Sequence, residues 1–174
     1  TSEIRLTQLR YGPTYYWRVR IRLNSDTSSW STVWSFTTAG TIALTSPSNG
    51  TTLYRYLHPT LDWDFINDGD YYEYQYDLSP DFNSPELVSG LVAVGTSEVE
   101  LTAPMRFGTT YYWRVREYTS IDTTPWSATW SFTTPGEIAL VSPANGSTLS
   151  RTLNPTLDWD YINGGDMYEY QYDL

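Results

Sequence analysis

The side chains most densely grouped in this sequence are carboxylates. Asp62, Asp64, Asn67, Asp68 and Asp70 crowd one short stretch, and Asp158, Asp160, Asn163 and Asp166 repeat most of the pattern further on. Alternating acidic oxygens suit calcium, a hard cation that takes six to eight oxygen ligands. The candidate metal ligands are Asp62, Asp64, Asp70, Asp158, Asp160 and Asp166, and calcium is the one cofactor the pattern suggests. The stretch lacks the bidentate glutamate and the spacing of an EF-hand loop, and Gly164 stands where the first copy has Asp68. Asn, Asp and Gly are also what a tight turn selects, so a turn is the competing reading.

Arginine and tryptophan make a second grouping. Arg18 and Arg20 alternate along one run and Trp30 and Trp34 lie on the next; Arg114, Arg116, Trp126 and Trp130 repeat them. If the runs are neighbouring strands, guanidinium groups stacked on indoles form a ladder worth about 0.5–1 kcal/mol per exposed contact. A sugar-binding face is the alternative, because exposed Trp and Tyr also stack on pyranose rings. The Trp-Ser pairs are similar to a motif of cytokine receptors, except that two residues, not one, separate them.

Asn49-Gly50-Thr51 and Asn145-Gly146-Ser147 fit the N-glycosylation pattern at Asn49 and Asn145. Asn-Gly is equally a strong turn signal. Catalysis finds little support, and no catalytic residue is assigned. His58 is the single histidine and is Asn154 in the second copy, so no general base repeats. Glu73 and Asp77 share one polar strand face and are expected to be solvated surface rather than a glycosidase pair.

Composition bounds the rest. The chain has 174 residues, a net charge of −10, no cysteine, and 17% aromatic residues against 17% charged, which suits a folded β protein with large side chains to bury. Without cysteine there is no disulfide or thiolate metal site, and stability must come from burial. The acidic balance repels a phosphate backbone and argues against nucleic acid. All the basic residues are arginine, which excludes a lysine–asparagine crosslink and Schiff-base chemistry. No apolar run reaches the length of a membrane span, and no signal peptide is present in these residues.

These groupings belong to a repeat. Tyr15-Tyr16-Trp17-Arg18-Val19-Arg20 recurs 96 positions on as Tyr111-Tyr112-Trp113-Arg114-Val115-Arg116, and Pro59-Thr60-Leu61-Asp62-Trp63 as Pro155-Thr156-Leu157-Asp158-Trp159. Residues 10–78 match residues 106–174 at 47 of 69 positions. Such a period equals one independent sandwich domain and exceeds that of common solenoids. The expected division is a complete unit over 41–136, the C-terminal half of a unit over 1–40 and the N-terminal half of the next over 137–174.

Period-two alternation places strands at 42–44, around Leu61 and Trp63, at 72–78, 87–94, 99–101, 111–115 and 130–134. No helical stripe of useful length occurs. About seven short strands per unit is the count of a Greek-key β-sandwich, so the fold class expected is all-β, as tandem seven-stranded sandwiches. The expected core in the complete unit is Trp63, Leu101, Tyr111, Trp113 and Phe132, and the matching aromatic residues of the flanking halves are Trp159, Tyr15 and Trp17.

The run Gly108-Thr109-Thr110-Tyr111-Tyr112-Trp113-Arg114-Val115, the Trp-Ser segment ending in Phe132-Thr133-Thr134, and Ser46-Pro47 with Asn49-Gly50 resemble a bacterial fibronectin type III module. The resemblance implies an immunoglobulin-like sandwich in a secreted or cell-surface protein of a bacterium or archaeon. It implies that Tyr111 and Tyr15 are corner tyrosines tying their hydroxyls to nearby backbone, and that Trp63 and Trp159 are the core tryptophans of the second strand. The function expected is that of a non-catalytic repeat of an extracellular filament, stalk or adhesin. The alternative is a carbohydrate-binding accessory module of a secreted polysaccharide-degrading enzyme. Expected partners are adjacent repeats, head to tail, with surface glycans a second candidate. A half-sandwich exposes half a core, so each end is expected to be completed by complementary strands. Either a longer array continues in both directions, or residues 137–174 of one chain pack on residues 1–40 of the next.

Overall fold

Strands with one apolar face are stable only when a second sheet covers that face, and residues 41–136 supply both sheets. The computed structural model of the chain describes residues 2–66, 69–103, 105–150 and 154–174. In chain order these form β1 (Thr14–Trp17), β2 (Arg22–Leu23), β3 (Asp26–Thr27) and β4 (Trp34–Thr37). Next come β5 (Leu44–Ser46), β6 (Thr51–Thr52), β7 (Thr60–Trp63), β8 (Tyr71–Asp77), β9 (Val88–Ala93), β10 (Glu98–Glu100), β11 (Thr110–Tyr118) and β12 (Trp130–Thr133). The last are β13 (Leu140–Ser142) and β14 (Asp158–Trp159). The chain is all-β, with no helix among the described residues.

The first sheet of the central unit runs β10-β7-β5 and the second β6-β12-β11-β8-β9. All pairings are antiparallel except β6 with β12. The first strand splits between the sheets, which adds the short β6 to the seven strands expected from sequence. Asn49-Gly50 makes that crossing. Gly50 adopts φ 76°, a left-handed conformation that a side chain would strain. Its N–H donates to the Ser131 carbonyl at 2.7 Å, and Asn49 Oδ1 accepts from Ser131 N–H at 2.9 Å.

The core lies between the sheets. Leu44, Leu61 and Trp63 face Tyr72, Tyr76, Tyr111, Trp113, Val115 and Phe132, closed at the edges by Ile42, Leu101 and Met105. Trp63 and Tyr72 pack edge to face at 5.3 Å, and Tyr111 stacks on Phe132 at 5.7 Å. The indole N–H groups of Trp63 and Trp113 have no acceptor among the described residues, so these rings are held by apolar burial and aromatic contacts without a hydrogen bond. Tyr74 is half-buried and lies over Gly90, where a Cβ would collide with the ring.

The flanking segments repeat the same pairings. Thr14↔Thr37 through Trp17↔Trp34 copies Thr110↔Thr133 through Trp113↔Trp130. Leu140↔Trp159 copies Leu44↔Trp63, down to the same irregular register two residues later. What differs is cover. Trp17 is 43% exposed, and Tyr15 and Trp159 are only half-buried, because no facing sheet lies over them among the described residues. Among the described residues no strand pairing joins residues 137–174 to residues 1–40. These three side chains are therefore not core in this chain as they were expected to be, although their partners on the strand are the same.

Replacing Trp113 with alanine should cost about 3–5 kcal/mol in urea unfolding, as truncation of a large buried aromatic does. A loss below about 1 kcal/mol would mean that the ring is not packed as described.

Candidate functional site

The outer face of the second sheet carries the most organised set of polar and aromatic side chains. On β11, Arg114, Arg116 and Tyr118 alternate outward while Tyr111, Trp113, Val115 and Glu117 point inward. The chain after β11 returns along it without forming a regular ladder. Instead, hydroxyls stand in for carbonyls. Glu117 N–H donates to Thr124 Oγ1 at 2.9 Å and Val115 N–H to Ser127 Oγ at 3.0 Å. Thr124 and Ser127 N–H groups donate back to the carbonyls of Glu117 and Val115 at 2.9 and 2.8 Å. This stitching sets Trp126 across the sheet face.

Trp126 contacts two guanidinium groups, with Arg114 Cζ 4.3 Å and Arg116 Cζ 4.2 Å from the ring centre. Phe82 covers Arg114 from the far side at 3.8 Å, and Tyr118 lies 5.0 Å from Arg116. Phe82 adopts φ 54°, a left-handed conformation costly for a bulky residue, in the turn that brings it over the guanidinium. Each arginine is fixed from β8. Arg114 donates to Gln75 Oε1 through Nε (3.0 Å) and Nη2 (2.7 Å), and Arg116 pairs with Glu73 Oε2 at 2.7 Å. Glu73 also accepts from the Tyr118 hydroxyl at 2.6 Å and from Ser89 Oγ at 2.9 Å. Burial works to raise the Glu73 carboxyl, but the Tyr118, Arg116 and Ser89 donors outweigh it and hold it below the usual range. Burial, and then the charge of Arg116, lower the Arg114 guanidinium.

The preceding copy repeats the device. Arg18 and Arg20 each lie 4.5 Å from the Trp30 ring, and Val19 and Ile21 N–H groups donate to Ser31 and Ser28 hydroxyls at 3.1 and 3.0 Å. Trp34 and Trp130, expected in the ladder from sequence, lie elsewhere. They meet Trp17 and Trp113 edge-on, at 5.6 and 6.1 Å. The reason is register: residues directly opposite in an antiparallel pair share a face, and Trp113↔Trp130 puts Trp130 on the inner side. Parity counting along the two runs was the available signal. Phe82, Gln75 and Tyr118 come from outside the Arg-Trp pattern and carried no signal of their own.

Trp126 is half-buried and in contact with two arginine side chains, which compete with any ligand for its ring. The two corner positions have matching geometry: Tyr111 and Tyr15 hydroxyls accept from the N–H groups of Arg106 at 3.0 Å and Arg10 at 2.7 Å.

The carboxylates are dispersed. Asp62 pairs across β7 with Glu98 and Ser46, Asp64 is exposed, and the Asp70 backbone bonds Tyr118 and Val94. Asp158 is exposed on β14 and Asp166 is exposed, whereas Asp160 pairs with Arg55 at 2.6 Å. Asn67 and Asp68 lie outside the described residues. Among the described residues no three His, Cys, Asp or Glu side chains come together as a metal site. Asn49 and Asn145 are both exposed, in equivalent turns. Asp77 is not solvated surface as its strand face suggested. It is fully buried and accepts from the Ser84 hydroxyl, Ser84 N–H (3.0 Å) and Leu78 N–H (2.7 Å). The turn after β8 folds back over it, which alternation within β8 does not reveal.

No protein-family model and no curated protein sequence matches the chain. Similar solved structures include the FN1–FN3 domains of chicken CNTN1, at 15% identity and a TM-score of 0.43, covering 73% of this chain and 44% of that one. A two-domain fibronectin type III segment of chicken tenascin aligns at 12% identity and a TM-score of 0.41, covering 70% of this chain and 65% of that one. The chicken interferon gamma receptor alpha chain aligns at 13% identity and a TM-score of 0.38, covering 72% and 68%. The chain thus spans less than half the length of the CNTN1 segment.

Two outcomes follow for this face. Trp126→Ala should destabilise the chain by about 1–2 kcal/mol in urea unfolding, since two cation–π contacts are lost together; no change would remove the ladder as a stabilising element. Asp77 is held below the usual carboxylate range: burial alone would raise it, and the Ser84 and backbone donors reverse that. A depressed carboxylate contributes stability above its unfolded pKa of about 3.9 and loses it as pH falls through the folded value. Asp77→Asn should therefore destabilise at pH 7 and progressively less below about pH 4. A pH-independent difference between the two melting curves contradicts this.

Proposed function

We propose that the chain is a non-catalytic structural repeat of a long extracellular filament, stalk or adhesin, in which each sandwich supplies length and stiffness. The observation that carries this reading is direct bonding from unit to unit at both poles of the central sandwich. At one pole Tyr11 N–H donates to Asp122 Oδ2 at 3.0 Å. At the other, Arg55 and Tyr54 bind Asp160 at 2.6 and 3.2 Å. Beside them the backbones join, Leu57 N–H to the Asn163 carbonyl at 3.1 Å and Asn163 N–H to the Arg55 carbonyl at 2.7 Å. A flexible linker would leave such groups to water. The outer face supports the same reading, because Trp126, Phe82 and Tyr118 on it are packed against arginine side chains. No helix among the described residues is long and apolar enough to cross a membrane.

Small-angle scattering and glycan titration together test this. A stalk repeat gives an elongated particle and no saturable tryptophan quenching with cellulose- or chitin-derived oligosaccharides. Saturable quenching that disappears in Trp126→Ala would replace this function with the carbohydrate-binding one.

A further inference from the structure

Glu117 is the one residue on the inward row of β11 that does not belong in an apolar core. It follows Tyr111, Trp113 and Val115 on the same face and is fully buried at the pole nearest residues 1–40. Neither carboxyl oxygen has a hydrogen-bond partner among the described residues. Gly69 closes one side, where a Cβ would collide with the carboxyl. The donor that faces it is the phenol of Tyr11, from the preceding unit. Burial pushes the Glu117 carboxyl up and the Tyr11 hydroxyl offsets part of that; burial, then Glu117, raise the phenol. Other groups at this pole are Tyr72 on β8 and Asp122 beyond β11.

The backbone around Tyr11 is tied down by hydrogen bonds: Arg10 N–H donates to the Tyr15 hydroxyl at 2.7 Å, Gly12 N–H to the Ala39 carbonyl at 2.9 Å, and the Tyr11 N–H is bonded to Asp122. The cleft between the two units, about 400 Å³, is lined by Leu9, Tyr11, Ile66 and Ile121 among others.

The repeat supplies the second observation. At 96 residues' offset the copy of Tyr11 is Phe107, and the copy of Glu117 is Ile21. Both positions exist in this chain in a polar and an apolar form. A phenylalanine against Glu117 would bury a carboxyl with no donor, and a tyrosine against isoleucine would bury an unpaired phenol; each mismatch carries the penalty of an unsatisfied buried polar group.

We propose that positions 11 and 117 form a matched pair that determines which module packs after which, a tyrosine tail accepting a glutamate head and a phenylalanine tail an isoleucine head. The partner is another module of the same array. Its chemistry is set by one buried position, and specificity comes from the penalty on the wrong neighbour. The inference rests on reading the units as adjoining modules of one stalk, and adds the rule by which neighbours are matched.

A double-mutant cycle on the 174-residue chain tests it, read by hydrogen exchange at the residue 11 amide, which Asp122 protects. Tyr11→Phe and Glu117→Ile should each speed exchange roughly tenfold, the equilibrium equivalent of leaving one buried polar group unpaired. Combining them should restore the rate to within about threefold of the parent. Glu117→Gln, a neutral isostere whose carbonyl can accept from the phenol, should stay near the parent rate and become fast when Tyr11→Phe is added. This second cycle decides the matter if Glu117→Ile does not fold. Additive effects in both cycles, or a silent Tyr11→Phe, overturn the pairing. If scattering remains elongated in that case, the pairing fails while the stalk reading stands.

Discussion

The two-faced register of β11 is the constraint on which the rest of this structure depends. Nine residues alternate strictly, so every side chain that enters the core commits its neighbour to the outer face. Trp113 and Val115 are completely buried because β7 and β5 face them, and Arg114 and Arg116 are placed opposite Gln75 and Glu73 by the same pairing with β8. A shift of one residue would drive both guanidinium groups into the core and expose the aromatics. Core and ladder are thus two consequences of one register and cannot be adjusted separately.

Arginine is the only cation in the chain, and the ladder shows why lysine would not serve. A guanidinium is planar, so it can stack on an indole while its edge donates to an amide or carboxylate. Arg114 and Arg116 do both at once. Trp126 in turn is positioned by Thr124 and Ser127, whose hydroxyls accept from β11 amides where a regular strand would offer carbonyls. That substitution leaves the returning segment free to depart from strand geometry while every β11 amide there keeps a partner. The copy at Ser28 and Ser31 uses hydroxyls of the same kind, so the device tolerates a Ser-to-Thr exchange but needs a hydroxyl.

Much of this was legible in the sequence because the signals were periodic. Alternation gave the strands, and the 96-residue offset gave the repeat. The core residues Trp63, Tyr111, Trp113 and Phe132 follow from alternation in a unit whose two sheets are both present. Tyr15, Trp17 and Trp159 carry the same local signal and are not buried, since burial depends on a facing sheet and local alternation does not report one. Trp130 departs from its expected place for a related reason: its face is fixed by cross-strand register, which is a relation between two runs. Asp77 and Phe82 were illegible because a turn brings them together with partners that no period connects. The fate of Glu117 depends on a neighbouring unit, so nothing within its own strand could announce it.

The absence of cysteine makes the central claim, that successive units are held rigidly and not merely strung together, open to a clean distance measurement. Spin labels on Ser29→Cys and Leu91→Cys would occupy exposed positions in the preceding and central units. Pulsed electron–electron resonance between them should give one narrow distance distribution that is unchanged by moderate salt. A broad distribution, of the kind a flexible linker produces, would contradict the account.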